Sequence, residues 1–528
     1  MEMWAERIEQ APQSVLRRYF TTDAPLGPLN AEKVLSEHSV LLELLAERNL
    51  VNIQRRVDRP SIVIGRRGSG KTSYLKKLGL GTPHHLFLEI RTEKTFNLIL
   101  GAINDIIRDA ISVESVATVW DGIIWNCFFW LMHRTGRPHI GRPQIHQHLQ
   151  SLGIDNCHSL DAVMSVFSQS MQRIAKETSG FAIDRIGDTL RGSQYENLKY
   201  AVSADLAKDG ITALVLLDSL DEYPVRVNDF KKSLAGLLKC AGEFNAVVRN
   251  YELRLCLPSE LYWEFRERIS TNPQKDFSNQ LVVRWQVGEL LIAVCRRIMI
   301  NLLLWHPKAY AAVRSNPLET RRDVDAFFAT LFPPHVKNLN GRHERTDQYL
   351  LRHTQLLPRQ MLLILAEIMR LNHANDGFDL GKAPFFSEDA IRIGIRDTED
   401  TIVDEIFSAY RDRYGELPSE ACTTILPSLP RVFTLDQFSR AVDMFCRDEG
   451  RQMSMAKLKR MFLEIGAFGK VDQFDSMYRR GRFEYTMTSR LAVGADDKLC
   501  VHPLFSRKFE CQPTDALDPP ILPWTIGI

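Results

Sequence analysis

The chain has 528 residues, which corresponds to about three domains of ordinary size. Hydrophobic residues make up 45% of it and charged residues 25%, as is typical of a soluble globular protein. The net charge of +2 is close to neutral and excludes a global field that would drive the protein onto nucleic acid or a membrane, so any basic binding surface must be local.

Residues 1–55 are predicted to form a helical N-terminal segment. The start of the chain lacks the basic residues and the apolar run of a signal peptide. Apolar residues then recur at helical spacing over 31–51, and Asp58-Arg59-Pro60 ends this pattern.

An α/β core is predicted over residues 56–304. Its strands are short apolar runs, at 61–64, 86–90, 211–217, 253–257 and 281–285. Helices follow at 71–78 and 288–304. Five strands that alternate with helices predict a five-stranded parallel sheet.

A large helical insertion is predicted between the second and third strands, at about residues 92–209. Helical patterns occupy 95–111, 116–132, 160–175 and 195–208. This stretch is too long for a simple crossover connection. The most apolar of these helices, 116–132, contains Asp121 and Asn126, so we predict a buried helix and not a membrane span.

Beyond the core the pattern is helical over residues 305–375. Residues 376–528 combine helices and proline-containing loops with a helix at 453–465, a basic turn at Arg479-Arg480-Gly481-Arg482, and alternating residues that suit a β-hairpin. Helices followed by a hairpin predict a winged-helix-like C-terminal domain.

The nine cysteines are scattered, and none forms a C-x-x-C pair. This pattern predicts reduced thiols in a cytoplasmic protein. Cys157 and His158 lack two further ligands at metal spacing, so zinc is not expected.

Residues 65–72 match the G-x-x-x-x-G-K-[ST] pattern of a phosphate-binding loop. Its glycines let the backbone curl so that N–H groups face one concavity, and the following helix adds its positive N-terminal end. Lys71 is predicted to reach the β- and γ-phosphates of a nucleoside triphosphate, and Thr72 to bind Mg²⁺. The residues predicted to contact the nucleotide here are Gly65, Arg66, Arg67, Gly68, Ser69, Gly70, Lys71, Thr72 and Ser73. Arg66 and Arg67 have two interpretations, a contact to a neighbouring subunit or a solvated surface, and we favour the second.

A carboxylate is needed to hold the metal ion, and the third strand supplies one in Asp218 at its carboxyl end. Asp221 and Glu222 follow in the same turn. One of them is predicted to orient or deprotonate the attacking water, with Glu222 favoured. The alternative is a solvated acidic turn.

The phosphate loop and an apolar strand that ends in D-x-x-D-E together resemble the STAND branch of AAA-like P-loop ATPases, which includes the NACHT proteins. The resemblance spans about residues 30–510. It implies an α/β P-loop NTPase core, a helical lid at 305–375 and a C-terminal winged helix. Residues 255–261 resemble the sensor strand of such ATPases. Pro258 stands where an arginine would be expected, so the polar sensor role falls to Ser259.

Two later segments also resemble motifs of these ATPases. Residues 353–360 resemble a lid motif whose proline or arginine lies near the nucleotide, which implies this role for Pro358 and Arg359. His502 resembles the histidine that touches the β-phosphate in some STAND proteins. The alternatives are an ion pair between Arg359 and a neighbouring acid, and a structural histidine in a turn.

The motifs predict an ATPase that binds ATP with Mg²⁺ and acts as a conformational or assembly switch. Its predicted partners are ATP and ADP, further copies of itself on ATP binding and a separate effector protein, with no membrane. The resemblance also implies a role in bacterial defence against phage.

Two alternatives remain. One is a DNA-associated ATPase of the initiator or loader type. Its duplex DNA would contact a basic patch that consists of Lys457, Lys459, Arg460, Arg479, Arg480, Arg482 and Arg490. This patch has a second interpretation, as the solvated edge of a winged helix that packs against protein. The other alternative is a scaffold whose nucleotide is never hydrolysed.

Overall fold

The computed structural model describes residues 4–29, 41, 44, 62–80, 85–91, 112–135, 142–177, 182–218, 227–247, 250–260, 262, 280–338, 341–372, 384–448, 450, 453–474, 477–487, 490–512 and 519–523. The predicted helix at 95–111 and most of the one at 31–51 lie outside these residues, as do Asp221 and Glu222. The chain forms two compact units, one of Ala46–Val283 and one of Met1–Leu45 with Arg284–Ile528.

The unit Ala46–Val283 contains the predicted sheet. Its strands are β1 (Ile62–Gly65), β2 (His85–Arg91), β3 (Thr212–Asp218), β4 (Tyr251–Pro258) and β5 (Gln280–Val282). They are all parallel, in the order β2-β3-β4-β1-β5, so the predicted five-stranded parallel sheet is confirmed. Since β4 lies between β1 and β3, the carboxyl ends of these three strands open side by side at one edge.

The strands are continuous apolar runs because helices cover the sheet. Residues 213–217 of β3 are all buried. Helix α3 (Lys71–Leu80) follows β1, and the insertion helices follow β2. These are α4 (Val113–Arg134), α5 (Arg142–Ser151), α6 (Leu160–Glu177), α7 (Ala182–Arg191) and α8 (Tyr195–Lys208), and α9 (Val227–Val247) follows β3.

Helix α4 is the buried centre of the insertion, as predicted. The Ser112 hydroxyl caps its start by accepting a hydrogen bond from the Ser115 backbone N–H. Most of its residues are buried, and the Trp120 indole donates to the Ser233 carbonyl (3.0 Å). The buried Asn126 amide donates to the Leu190 carbonyl (2.7 Å), which satisfies its polar group inside the core. Within the described residues, no helix is long and apolar enough to cross a membrane.

The second unit begins with two short helices, α1 (Trp4–Gln10) and α2 (Gln13–Tyr19), and continues with α10 (Val287–Trp305). The Asn301 side chain donates to the Pro25 carbonyl (2.8 Å), and the Trp305 indole donates to the Phe20 carbonyl (3.0 Å). Arg297, one turn earlier on the same helix face, donates to the Pro28 carbonyl (2.9 Å). These side chains fasten the N-terminal residues to α10, so 1–45 belongs with the C-terminal part of the chain. The sequence predicted a separate N-terminal segment of residues 1–55 and did not indicate this association.

The segment predicted to be a helical lid contains α11 (Pro307–Val313), α12 (Arg321–Leu331), α13 (Thr346–Arg352) and α14 (Pro358–Asn372). It also contains a short antiparallel hairpin that the sequence pattern did not predict. Its strands are β6 (His335–Lys337) and β7 (His343–Arg345). Each strand has a single buried residue between two exposed ones, so an apolar alternation is too short to be recognised.

The C-terminal domain has the predicted winged-helix-like form. Its helices are α15 (Glu388–Tyr414), α16 (Leu417–Ile425), α17 (Leu435–Asp448), α18 (Met455–Glu464) and α19 (Pro503–Lys508). Its strands are β8 (Val432–Phe433), β9 (Phe468–Phe474), β10 (Arg479–Phe483), β11 (Leu499–Val501) and β12 (Ile521–Pro523). The strands form one sheet in the order β12-β10-β9-β11-β8, in which β9 and β10 form the predicted hairpin. Gly466 ends α18 at φ +74°, where a Cβ would lie 2.5 Å from the Gln355 amide nitrogen.

Candidate functional site

The loop between β1 and α3 is curled in the way its glycines predict. Gly68 and Gly70 both have positive φ, at 79° and 84°, a conformation that residues with a Cβ rarely adopt. The Ser69 backbone N–H donates to the Arg66 carbonyl (3.1 Å) and closes the turn. The Gly70 carbonyl accepts the Tyr74 N–H (3.1 Å), which begins α3 directly after the loop. The loop therefore leads straight into a helix N-terminus, as an anion-binding loop requires.

Lys71 lies inside this loop and not at the surface. Only 7% of the residue is exposed, and its ammonium group donates to the carbonyls of Gly65 (2.9 Å) and Arg66 (3.1 Å). A buried ammonium group held among backbone dipoles suits a phosphate partner, because the low local dielectric strengthens the attraction. Thr72 and Ser73 follow in the first turn of α3, and both are half-buried.

A charged contact joins the loop to the neighbouring strand. Gly65 is in register with Pro258 at the end of β4, so Arg66 and Glu260 both lie just beyond the sheet. The Arg66 Nε atom is 3.8 Å from Glu260 Oε1, and the Ser259 hydroxyl donates to the other carboxylate oxygen (3.2 Å). Sequence analysis assigns no role to Glu260, because no local spacing connects it with a loop so much earlier in the chain. The Arg66 side chain is only 14% exposed, so the expectation of a solvated arginine is wrong for Arg66.

The predicted metal carboxylate, Asp218, ends β3 at the same edge of the sheet. Leu217 pairs with Leu255 of β4, and β4 pairs with β1. Two strand spacings separate β3 from β1, or about 10 Å between strand axes. A hydroxyl on the loop and a carboxylate on β3 are oxygen donors of the kind Mg²⁺ prefers. The roles of Asp218, Asp221 and Glu222 stay predictions.

The predicted lid residues lie in the other unit. Pro358 is the first residue of α14, and Pro358 and Arg359 are both half-buried. The turn before them is fixed to the end of α18, because the Gln355 amide donates to the Ile465 carbonyl (2.9 Å). Gln360 accepts the Gln355 backbone N–H (2.7 Å) and closes the turn from the helix side. Contacts of Pro358 and Arg359 with a nucleotide stay predictions.

His502 is completely buried at the start of α19. Its Nδ1 atom accepts the Leu504 backbone N–H (3.2 Å), which leaves Nε2 as the protonated nitrogen. Nε2 is 2.9 Å from the Tyr485 hydroxyl oxygen. Both ring nitrogens are therefore engaged within the domain, which favours the structural alternative. The contact of His502 with a β-phosphate stays a prediction.

Close to the lid motif lies a buried pair of titratable groups. His353 Nδ1 is 3.2 Å from Glu399 Oε1, and Glu399 Oε2 is 3.2 Å from Arg507 Nε. Burial raises the pKa of Glu399 to about 8, although Arg507 and Arg352 lower it. Burial, and then the charges of Arg352, Arg507 and His502, hold the pKa of His353 well below its ordinary value.

Because of this pair, we expect the free energy of unfolding to fall as the pH rises to mildly alkaline values. Between 6.5 and about 8 the folded state keeps a proton on Glu399 that the unfolded state has lost, so stability falls as pH rises. Below 6.5, unfolding also protonates His353, which opposes the effect of Glu399. At about 1.4 kcal/mol per pH unit, the loss from pH 6.5 to 8 is about 2 kcal/mol. Denaturant unfolding at the two pH values measures it.

The matched variants for this prediction are Glu399→Gln and Asp397→Asn. Glu399→Gln removes the titrating proton and should flatten the pH dependence. Asp397 is a half-exposed carboxylate on the same helix, so its substitution should leave the dependence unchanged. An equal decline in wild type and Glu399→Gln would contradict the assignment to Glu399.

The predicted basic patch is partly neutralised. The Arg460 guanidinium contacts Glu464 (2.6 Å) and Glu484 (2.7 Å). Arg482 pairs with Asp472 across the β9–β10 hairpin. Lys457 is exposed on α18, and Lys459 is half-buried there. The patch is therefore smaller than the sequence predicts, since two of its arginines are held by carboxylates.

No protein-family profile matches the chain, and no curated protein sequence matches it. Solved structures that match include two of the ORC2 protein from Aeropyrum pernix, one as ADPNP and ADP complexes and one in the ADP form. The first is 12% identical, with a TM-score of 0.40, and the alignment covers 91% of this chain and 95% of that one. The second is 11% identical, with a TM-score of 0.31 and the same coverage. Because both TM-scores are low, the fold described above rests on the strands and helices of this chain alone.

All nine cysteines are unpaired, as predicted. Seven of them are buried, and burial raises the pKa of thiols such as Cys500, to about 12. Across the described residues, no cluster of three or more His, Cys, Asp or Glu side chains could hold a metal ion.

Proposed function

We propose that this protein is a Mg²⁺-dependent ATPase whose nucleotide cycle drives a conformational or assembly switch. The observation that carries the proposal is the curled loop at the carboxyl end of β1, with Lys71 buried inside it. In parallel α/β sheets ligands bind outside the carboxyl ends of the strands. The loop, the N-terminus of α3 and Asp218 all belong to that edge.

Each residue has a distinct task in this proposal. Lys71 and the loop N–H groups bind the β- and γ-phosphates, and Thr72 and Asp218 hold Mg²⁺, which would neutralise charge on the phosphate oxygens. Glu222 orients the attacking water, with Asp221 as the alternative. Since ATP and ADP differ only in the γ-phosphate, contacts to that group must supply the difference in affinity that drives the switch.

The test is a calorimetric titration of the full chain with ATP and ADP, with and without Mg²⁺, together with a measurement of its mass in each nucleotide. We expect Mg²⁺-dependent binding of both and a larger assembly in ATP. Absence of binding would contradict the proposal. Binding with no difference in mass or conformation would leave an ATP-binding protein and remove the switch. A role in phage defence and a separate effector protein stay predictions.

A DNA-associated ATPase of the initiator or loader type is a second proposal with comparable support. The winged-helix-like domain favours it, because this form presents a helix and a hairpin to duplex DNA. Helix α18 begins at an exposed Ser454 N-cap and carries the exposed Lys457 in its first turn. Because carboxylates hold Arg460 and Arg482, the surface that can contact DNA phosphates is small.

The DNA proposal predicts that Lys457→Glu with Lys459→Glu weakens duplex binding. Each lost phosphate contact should reduce the slope of log affinity against log salt by about one. These lysines are preferred to Arg482, whose reversal would break the contact with Asp472. Lys308→Glu, an exposed charge reversal on α11, is the control. If wild type shows no duplex binding at low salt, or if Lys308→Glu weakens it equally, this second function is ruled out.

A further inference from the structure

The phosphate loop contacts an acidic residue, Glu260, that lies outside the loop's own sequence pattern. Arg66 is the second residue of the loop, and its carbonyl accepts hydrogen bonds from both the Ser69 N–H (3.1 Å) and the Lys71 ammonium group (3.1 Å). Its guanidinium lies 3.8 Å from Glu260, just beyond β4. Arg66 thus connects the curl of the loop, the buried lysine and the neighbouring strand.

The Glu260 carboxylate is held in place from two sides. Its side chain is only 7% exposed, with Arg66 near one oxygen and the Ser259 hydroxyl donating to the other (3.2 Å). The distance of 3.8 Å to Arg66 Nε is long for an ion pair, and a guanidinium has five N–H donors. A second anion can therefore compete for the same arginine.

The position of β4 shows which part of a nucleotide this pair would meet. In the proposed function the terminal phosphates lie between Lys71, after β1, and the metal on Asp218, after β3. Strand β4 lies between those two strands, so Glu260, just beyond β4, belongs to the edge of the sheet at which the proposed function places the terminal phosphates. An arginine there attracts a triphosphate more strongly than a diphosphate, and a carboxylate that binds the arginine weakens this attraction.

We propose that Glu260 competes with the terminal phosphate for Arg66, so that this pair sets the preference of the site for a nucleoside triphosphate over a diphosphate. The inference rests on the proposed function. It names Glu260 as a specificity-determining residue that acts through Arg66. Loss of the carboxylate removes this competition and raises the preference for the triphosphate.

The experiment is calorimetry on the full chain with ADP and with a non-hydrolysable ATP analogue, in the presence of Mg²⁺. The readout is the ratio of the two dissociation constants. Glu260→Gln should favour the triphosphate by about tenfold in this ratio, and Arg66→Gln should disfavour it. The ratio of the double variant should differ from that of Arg66→Gln alone by less than about threefold, because the effect of Glu260→Gln requires the arginine. Glu260→Asp keeps the charge and should stay close to wild type.

The matched control is Glu252→Gln. Glu252 pairs with Arg254 (2.6 Å) at the opposite end of β4, about 25 Å from Glu260, so it removes a carboxylate from an ion pair on the same strand. Its ratio should equal that of wild type, and thermal melting of each variant checks folding. If wild type binds both nucleotides and Glu260→Gln keeps the wild-type ratio, the inference is contradicted and the proposed function is not. The same conclusion follows if Glu260→Asp changes the ratio as much as Glu260→Gln does. If wild type binds neither nucleotide, the proposed function falls and this inference falls with it.

Discussion

Replacing Lys71 with alanine is expected to weaken ATP binding about 100-fold, or by about 2.7 kcal/mol. The ammonium group is buried in the loop, where a charge-assisted hydrogen bond to phosphate is stronger than at the surface. Alanine removes the positive charge and the hydrogen bonds that Lys71 donates to the carbonyls of Gly65 and Arg66. Calorimetric titration with ATP and Mg²⁺ measures the effect directly.

Two further variants separate charge from loop geometry in this experiment. Lys71→Arg keeps the charge but presents a planar group that does not fit between two carbonyls, so it should also lose most of the affinity. Lys208→Ala removes an exposed lysine from the end of α8 and should bind ATP as wild type does. Unchanged affinity in Lys71→Ala, with a wild-type melting temperature, would show that the nucleotide binds elsewhere.

The sequence predicts the core of this protein because the core depends on local patterns. Residues 213–217 form an uninterrupted apolar run, which suits a strand that is buried on both faces. The glycine spacing requires a curled loop, and Gly68 and Gly70 have the positive φ values that this needs. Helix α4 was recognisable because its apolar run contains Asp121 and Asn126, which a membrane span would exclude.

Features that depend on distant contacts could not be predicted in this way. The Arg66–Glu260 contact exists because β1 and β4 are neighbours in a particular register, and no local spacing encodes that register. The same holds for the N-terminal segment, which belongs with the C-terminal part because Asn301 and Trp305 donate to the carbonyls of Pro25 and Phe20, after α2. Such contacts depend on which elements become neighbours, and hydrophobic periodicity does not report this.

The basic patch shows why charge must be counted with its partners. In the sequence Arg482 stands in a cluster of arginines, whereas in the hairpin its guanidinium contacts the Asp472 carboxylate. Arg460 faces Glu464, which is four residues later on the same helix, a pairing that helical spacing does indicate. Its contact with a second carboxylate, Glu484, forms only in the folded domain and is not indicated by helical spacing. The electrostatic case for DNA therefore rests on fewer charges than the composition suggests.

Glu222→Gln is expected to reduce ATP hydrolysis by about 100- to 10,000-fold and to leave ATP affinity close to that of wild type. The amide keeps the size of the side chain but cannot accept a proton from water. Glu222 follows Asp218, the last residue of β3, by four positions in the sequence, and its role as the base is the prediction under test. The measurement is phosphate release under single-turnover conditions, with binding followed in parallel.

Asp221→Asn and Asp218→Asn make this prediction decisive. If Glu222 is the base, Asp221→Asn retains most of the hydrolysis, and the reverse result assigns the base to Asp221. Asp218→Asn should instead remove the Mg²⁺ dependence of binding, because its carboxylate is proposed to hold the metal ion. A wild-type protein that binds ATP tightly and releases no phosphate would support a structural nucleotide. If Glu222→Gln loses hydrolysis and keeps ATP binding while Asp221→Asn retains both, the water-activating role belongs to Glu222.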